Sequence, residues 1–82
     1  MERTLAGGSE CLGLPIRYYL LRERSEDGTA LYGVAAEYDG EEESIPDVTS
    51  EKAGITALIR ILRRCGVTPV TMRDVVEDWL LR

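Results

Sequence analysis

From Pro15 onward the chain alternates short apolar runs with turn residues, a spacing that predicts strands. Ile16-Arg17-Tyr18-Tyr19-Leu20-Leu21-Arg22 is rich in branched and aromatic side chains, which suit a pleated, half-buried surface. Ser25-Glu26-Asp27-Gly28-Thr29 reads as a turn. Leu31-Tyr32-Gly33-Val34-Ala35-Ala36-Glu37-Tyr38 follows as a second strand, and Asp39-Gly40 is a strong signal for a tight hairpin. A third strand is expected from about Glu42 to Ile45. There Pro46, which cannot donate to a ladder, cuts it short and places it at a sheet edge. Alternation puts Tyr32, Val34, Ala36 and Tyr38 on one face, expected to carry the core, and Leu31, Gly33 and Ala35 on the other.

After Thr49 the period lengthens to that of a helix. Thr49 or Ser50 is expected to cap a helix running to about Cys65. Ile55, Leu58, Ile59, Leu62 and Cys65 form its apolar stripe, and Gly66 is placed to end it in the left-handed conformation. Val67-Thr68-Pro69-Val70 reads as an extended link, with Pro69 disfavouring helix at Thr68. Thr71 and Asp74 resemble a capping box. The last helix then carries Met72, Val75, Val76, Trp79 and Leu80 on one face and Arg73, Asp74, Glu77 and Asp78 on the other. Ahead of Pro15 the glycines at 7, 8 and 13 break the pattern, leaving an irregular segment, a small hairpin or an edge strand.

The expected fold is therefore α+β, an antiparallel three- to four-stranded meander with two C-terminal helices packed on one face. A single domain spans 1–82: an irregular or edge-strand segment over 1–14, the meander over 15–48 and the helices over 49–82. At 82 residues the chain buries only roughly 60–65% of its unfolded surface, so its stability margin is small. No apolar run approaches the ~20 residues of a membrane-spanning helix, and Met1-Glu2-Arg3-Thr4 is unlike a signal peptide. The expected location is the cytoplasm, with no membrane partner.

Composition narrows the chemistry. The sequence has no His, Phe, Asn or Gln. Without imidazole it lacks the commonest general base, the usual partner of a nucleophilic Ser or Cys, and the commonest metal ligand. Cys11 and Cys65 form no metal-ligand or CxxC pattern and are expected as free thiols, Cys65 buried beside Leu58 and Leu62. No residue is assigned a catalytic, cofactor-binding or metal-binding role.

Net charge is −5, unevenly spread: residues 1–49 carry 11 acids against four arginines, whereas 50–66 carry Glu51 against Lys52, Arg60, Arg63 and Arg64. An acidic whole argues against broad binding to a phosphate backbone. A helix–turn–helix reading fails similarly. The last helix would bring Asp74, Glu77 and Asp78, against only Arg73 and terminal Arg82, to the phosphates.

Ile16-Arg17-Tyr18-Tyr19-Leu20-Leu21, Tyr32-Gly33-Val34 and above all Val67-Thr68-Pro69-Val70-Thr71-Met72-Arg73-Asp74-Val75-Val76-Glu77-Asp78-Trp79-Leu80 carry a resemblance. The chain resembles, from Ile16 onward, a domain-of-unknown-function family of short uncharacterised proteins found mainly in clostridial Firmicutes. That resemblance implies small size and a cytoplasmic location and assigns no activity.

Two features point to an interaction surface. Tyr18 and Tyr19 fall on opposite sheet faces, so Tyr19 with Leu21 and Leu31 forms an apolar patch away from the helices, open to a partner or covered by the amino-terminal segment. Arg60, Arg63 and Arg64 cluster on the first helix, where they complement its negative C-terminal dipole or meet an acidic partner or a second copy of the chain. Leu81 falls on the polar side of the last helix, either simply exposed or an oligomer contact. The acids Asp39, Glu41, Glu42, Glu43 and Asp47 protect an edge hairpin or ligate a divalent cation. The readings that follow are a protein-interaction or regulatory module without catalysis or, alternatively, a small-molecule or metal-binding protein with weak enzymatic activity.

Overall fold

A computed structural model describes residues 1–81; Arg82, which the sequence places at the end of the last helix, lies outside the described residues. Four strands, β1 (Glu2–Cys11), β2 (Leu14–Arg24), β3 (Ala30–Tyr38) and β4 (Glu41–Thr49), form an antiparallel meander in the order β1-β2-β3-β4. Helices α1 (Lys52–Cys65) and α2 (Pro69–Leu80) follow. Both pack on one face of the sheet: α1 crosses all four strands, and α2 lies over β3 and β4. The amino-terminal segment thus becomes a full edge strand.

The register sorts the side chains. Ile16, Tyr18 and Leu20 of β2 pair with Tyr38, Ala36 and Val34 of β3, all on the helix side. Ile16, Tyr18, Val34 and Ala36 join Ile55, Leu58, Ile59, Leu62, Val67, Met72 and Val76 in the core, and Tyr32 and Tyr38 pack against it half-buried. The face predicted to carry the core does so.

The buried Tyr18 phenol lies where α1 ends. Gly66 takes φ 62° and ψ 41°, its N–H donates to Arg63 O, and the Val67 N–H donates to Leu62 O at 3.1 Å. This is the glycine-terminated closure expected of a helix followed by a left-handed residue. The Tyr18 hydroxyl is shared between Leu62 O at 3.0 Å and Val67 O at 2.5 Å, so strand β2 supplies the donor that a buried helix end needs. Burial, with Cys11 and Cys65 nearby, pushes its pKa up to about 12.

Several local expectations are corrected. β4 continues to Thr49 because Pro46 sits at a register shift, where no ladder hydrogen bond is required of it, and Asp47 at φ 56° absorbs the extra residue. The N-cap of α1 is Glu51; Thr49 instead accepts the Glu51 N–H through Oγ1 at 3.2 Å. α2 starts at Pro69, with Thr68 as N-cap, because a proline at the first helical position has no N–H to orphan. The Thr71–Asp74 capping box therefore does not form, and Thr71 Oγ1 donates to Thr68 O at 3.3 Å. Cys65 is exposed: the chain turns at Gly66 and the stripe is completed by Val67, not by the last helical residue. Both thiols are free. Leu80 is half exposed, beyond the reach of the core that holds Met72 and Val76.

The two hairpin tips differ instructively. Asp39 (φ 49°) with Gly40 closes β3–β4 using a residue that tolerates positive φ. The β1–β2 tip places Leu12 in the same conformation (φ 51°) with 92% of its surface exposed. A left-handed leucine costs about 1–2 kcal/mol, and no burial offsets it here. Leu12→Asn is therefore expected to raise stability by about 1 kcal/mol, read as a higher urea midpoint at unchanged slope.

Candidate functional site

The outer sheet face offers less than its sequence suggests. Tyr19, Leu21 and Leu31 do share that face, since Tyr19 pairs with Ala35 and Leu21 with Gly33. Leu21, however, is only 4% exposed and Ala35 wholly buried, and Tyr19 and Leu31 are half-buried. The cover is a polar strap. The Arg3 guanidinium stacks 4.0 Å from the centre of the Tyr19 ring and donates to Glu42 Oε2 at 2.7 Å, reaching from β1 to β4 over the intervening strands. The bond to Arg3 in turn holds the Glu42 carboxyl below its usual range. The apolar patch is thus covered at Tyr19 by the protein's own side chains, with Leu5 exposed beside it.

Farther along this face Glu23 meets Asp47. A hydrogen bond to Asp47, reinforced by its negative charge, pushes the Glu23 pKa up. A raised carboxylate pKa means that the folded state holds its proton more tightly than the unfolded chain. The favourable contribution is complete at low pH and disappears as pH rises through the raised value. Glu23→Gln is accordingly expected to be more stable than the parent at pH 7, with the difference closing toward about pH 4 as Glu23 takes up its proton, measured by urea unfolding at both pH values. At the β2–β3 turn the Ser25 hydroxyl and the Thr29 N–H both donate to Asp27 and hold its carboxyl down, to about 2. Asp27 therefore stabilises the turn at neutral pH and loses that contribution as pH falls toward 2.

The helix side is different, because the two helices do not cover the whole sheet. With α2 over β3 and β4, the β1–β2 half of that face is left beside the flank of α1. Three open clefts run along this flank. One of about 390 Å³ is lined by Glu2, Thr4, Leu20, Arg22, Tyr32 and Lys52. The next, about 130 Å³, is lined by Ala6, Leu20, Thr56, Ile59, Arg60 and Arg63. The third, about 290 Å³, is lined by Gly8, Arg60, Arg63 and Arg64. Leu20 belongs to the first two, and Arg60 and Arg63 to the last two, so they form one groove. Its floor is apolar, from Ala6, Leu20 and Ile59, and its helix wall is cationic.

Helical geometry builds that wall. Lys52, Thr56, Arg60 and Arg63 recur at intervals of four, four and three residues, so they share one face of α1. The amphipathic stripe turns Ile55, Leu58 and Leu62 into the core and this row toward β1. Gly7 makes the approach possible: a β-carbon there would lie 2.5 Å from Arg63 Nε, so Arg63 lies directly on the bare β1 backbone. A register shift between Leu5 and Gly7 bends β1 at this point.

Among the described residues the charges on this wall have no carboxylate partner. Arg3, Arg17, Arg22 and Arg73 pair with Glu42, Glu37, Glu2 and Glu43. Among the described residues no carboxylate lies within 4.0 Å of Lys52, Arg60, Arg63 or Arg64. Arg63 and Arg64, in the last turn, also complement the α1 dipole. A wider depression of about 490 Å³, lined by Met1, Glu2, Arg22, Glu23 and Arg24, adjoins the first cleft through Glu2 and Arg22, and its charges are engaged internally. Glu2 holds Arg22 at 3.1 Å, and Arg24 donates to Gly28 O.

Of the residues singled out from sequence, Arg60, Arg63 and Arg64 come together in the groove, Tyr19 lies under the Arg3 strap with Leu21 and Leu31 on the same face, and Leu81, the C-cap of α2, is exposed. The hairpin acids diverge, Glu42 binding Arg3 on the outer face and Glu43 binding Arg73 of α2. Sequence reading missed Lys52, Thr56, Ala6, Gly8 and Leu20 as parts of one site, although the Lys52-Thr56-Arg60-Arg63 spacing carried part of the signal. Among the described residues no group of three or more Cys, Asp or Glu side chains is arranged to hold a metal ion. No described helix is long and apolar enough to cross a membrane.

Neither a curated protein nor a solved structure matches this chain. A family model, Family of unknown function (DUF6514), matches residues 8–82, which include β2 to β4, both helices and the whole cationic wall. With nearly all of its fold inside that match, the chain belongs to the DUF6514 family of unknown function.

Proposed function

We propose that this protein is a small cytoplasmic interaction module without catalysis, whose contact surface is the groove between α1 and β1–β2 and whose partner is an acidic protein segment. The carrying observation is the contrast among its cations. Four arginines are satisfied by carboxylates of the same chain, whereas Arg60, Arg63 and Arg64 converge on one cleft of an otherwise acidic protein with no carboxylate partner among the described residues. Exposed arginines beside half-buried apolar residues are the composition of a contact surface, combining charge selection with an apolar anchor. The groove is open along its length, which suits a helix or extended segment better than an enclosed small molecule.

The test is fluorescence anisotropy with a labelled synthetic amphipathic peptide carrying glutamates on one side and leucines on the other. Binding is expected to the parent chain, with at least about tenfold weakening in Arg60→Ala/Arg63→Ala/Arg64→Ala and on raising salt from about 0.05 to 0.5 M. Equal affinity of the triple variant would reject the groove as the contact surface.

A further inference from the structure

The outer face of α2 has the chemistry to fill this groove. Met72 and Val76 are buried on its inner side, which leaves Val70, Asp74, Glu77 and Leu81 along the opposite pole at intervals of four, three and four residues. Val70 is 74% exposed and Leu81 86% exposed, so two large apolar side chains flank two acids on a surface that has no internal cover. Among the described residues no cation lies within 4.0 Å of Asp74 or Glu77. The ends of the row are eleven positions apart, as are those of the Lys52–Arg63 row of α1, so each is about 16 Å long.

We infer that the groove of one copy takes α2 of a second copy, Asp74 and Glu77 meeting the Arg60–Arg63 wall and Val70 or Leu81 entering over Ala6, Leu20 and Ile59. This rests on the groove being a contact surface and names its occupant. The occupant is not the chain's own α2, which Met72 and Val76 fix over β3 and β4. Groove and α2 pole lie on different parts of the surface, so the contact is head-to-tail: each copy keeps one unused groove and one unused α2. A net charge of −5 on each copy opposes association at long range. The contact pairs act well inside the ~10 Å screening length at 0.1 M salt, where local complementarity outweighs the spread-out excess.

Sedimentation velocity tests this on three full-length proteins: the parent, Arg60→Ala/Arg63→Ala/Arg64→Ala, and Asp74→Asn/Glu77→Gln/Leu81→Ala. All six substituted side chains are exposed, and circular dichroism checks that each variant is folded. At about 0.2 mM and low salt the parent is expected to sediment as species larger than a monomer and to dissociate near 0.5 M salt. Each variant alone is expected to remain monomeric. An equimolar mixture is expected to stop at a dimer, because only one intact groove and one intact α2 face remain to be joined. A monomeric parent, or a mixture that fails to pair, overturns the inference. If that parent still binds the acidic peptide, the groove stands as a contact surface and only its occupant is wrong. If it binds neither, both fall.

Discussion

Gly33→Ala is expected to lower the melting temperature by more than about 10 °C, a cost of about 3 kcal/mol or greater. Gly33 lies in β3 where β4 shifts register, and a β-carbon there would stand 2.3 Å from Ile45 O and 2.7 Å from Pro46 Cα. Both obstacles are backbone atoms, so no side-chain rotation relieves the clash and β4 has to move. The strand leads directly into α1, so its displacement propagates to the helix that closes the core. A melt followed by circular dichroism checks this; a change of only a few degrees would mean that β4 does not approach β3 as closely as described.

Tyr18→Phe isolates the second large effect. The aromatic ring stays, but Val67 O loses the hydroxyl that satisfies it, whereas Leu62 O keeps backbone N–H donors from the turn at Gly66 and Val67. A buried carbonyl left without a donor costs about 1–3 kcal/mol, a sizeable share of the total for a domain this small. The cost is expected to appear as faster amide exchange in the last turn of α1, before global unfolding. Titration supplies an independent check. With its pKa pushed up to about 12, Tyr18 contributes stability that is complete below the unfolded value near 10 and lost as pH rises through 12. Ultraviolet absorbance should therefore show a late-ionising tyrosine in the parent that is lost in Tyr18→Phe, beside Tyr38, whose pKa its contact with Cys11 also raises.

Much of this fold was legible because local chemistry and global architecture agree. Asp39-Gly40 and Asp27-Gly28 mark their turns, the alternation in β3 selects the core face, and Gly66 ends α1 as its position predicts. The errors occur where a local rule meets tertiary context. Pro46 does not end β4, since a register shift removes the need for its missing donor. Cys65 follows the stripe of α1 but lies at the turn of the chain, where the stripe is no longer roofed.

The site was legible only in part, for a physical reason. Arg60, Arg63 and Arg64 announce themselves as a cluster, yet sequence alone does not separate arginines that find an internal acid from those that do not. Arg3 shows this well: it covers Tyr19 and reaches Glu42, 39 residues away, a pairing that depends on register across the whole sheet. Likewise the groove exists because α2 settles over β3 and β4 and leaves the other half of the sheet beside α1, a consequence of helix placement that periodicity does not contain.

Backbone amide shifts of the ¹⁵N-labelled chain, recorded while the acidic amphipathic peptide is added, bear most directly on the cationic groove. Perturbations should trace Lys52 to Arg64 on α1 together with Thr4 to Gly8 and Leu20, leaving the outer-face residues Tyr19 and Leu31 in place. Shifts centred on that outer face, or no shifts at all, would contradict it.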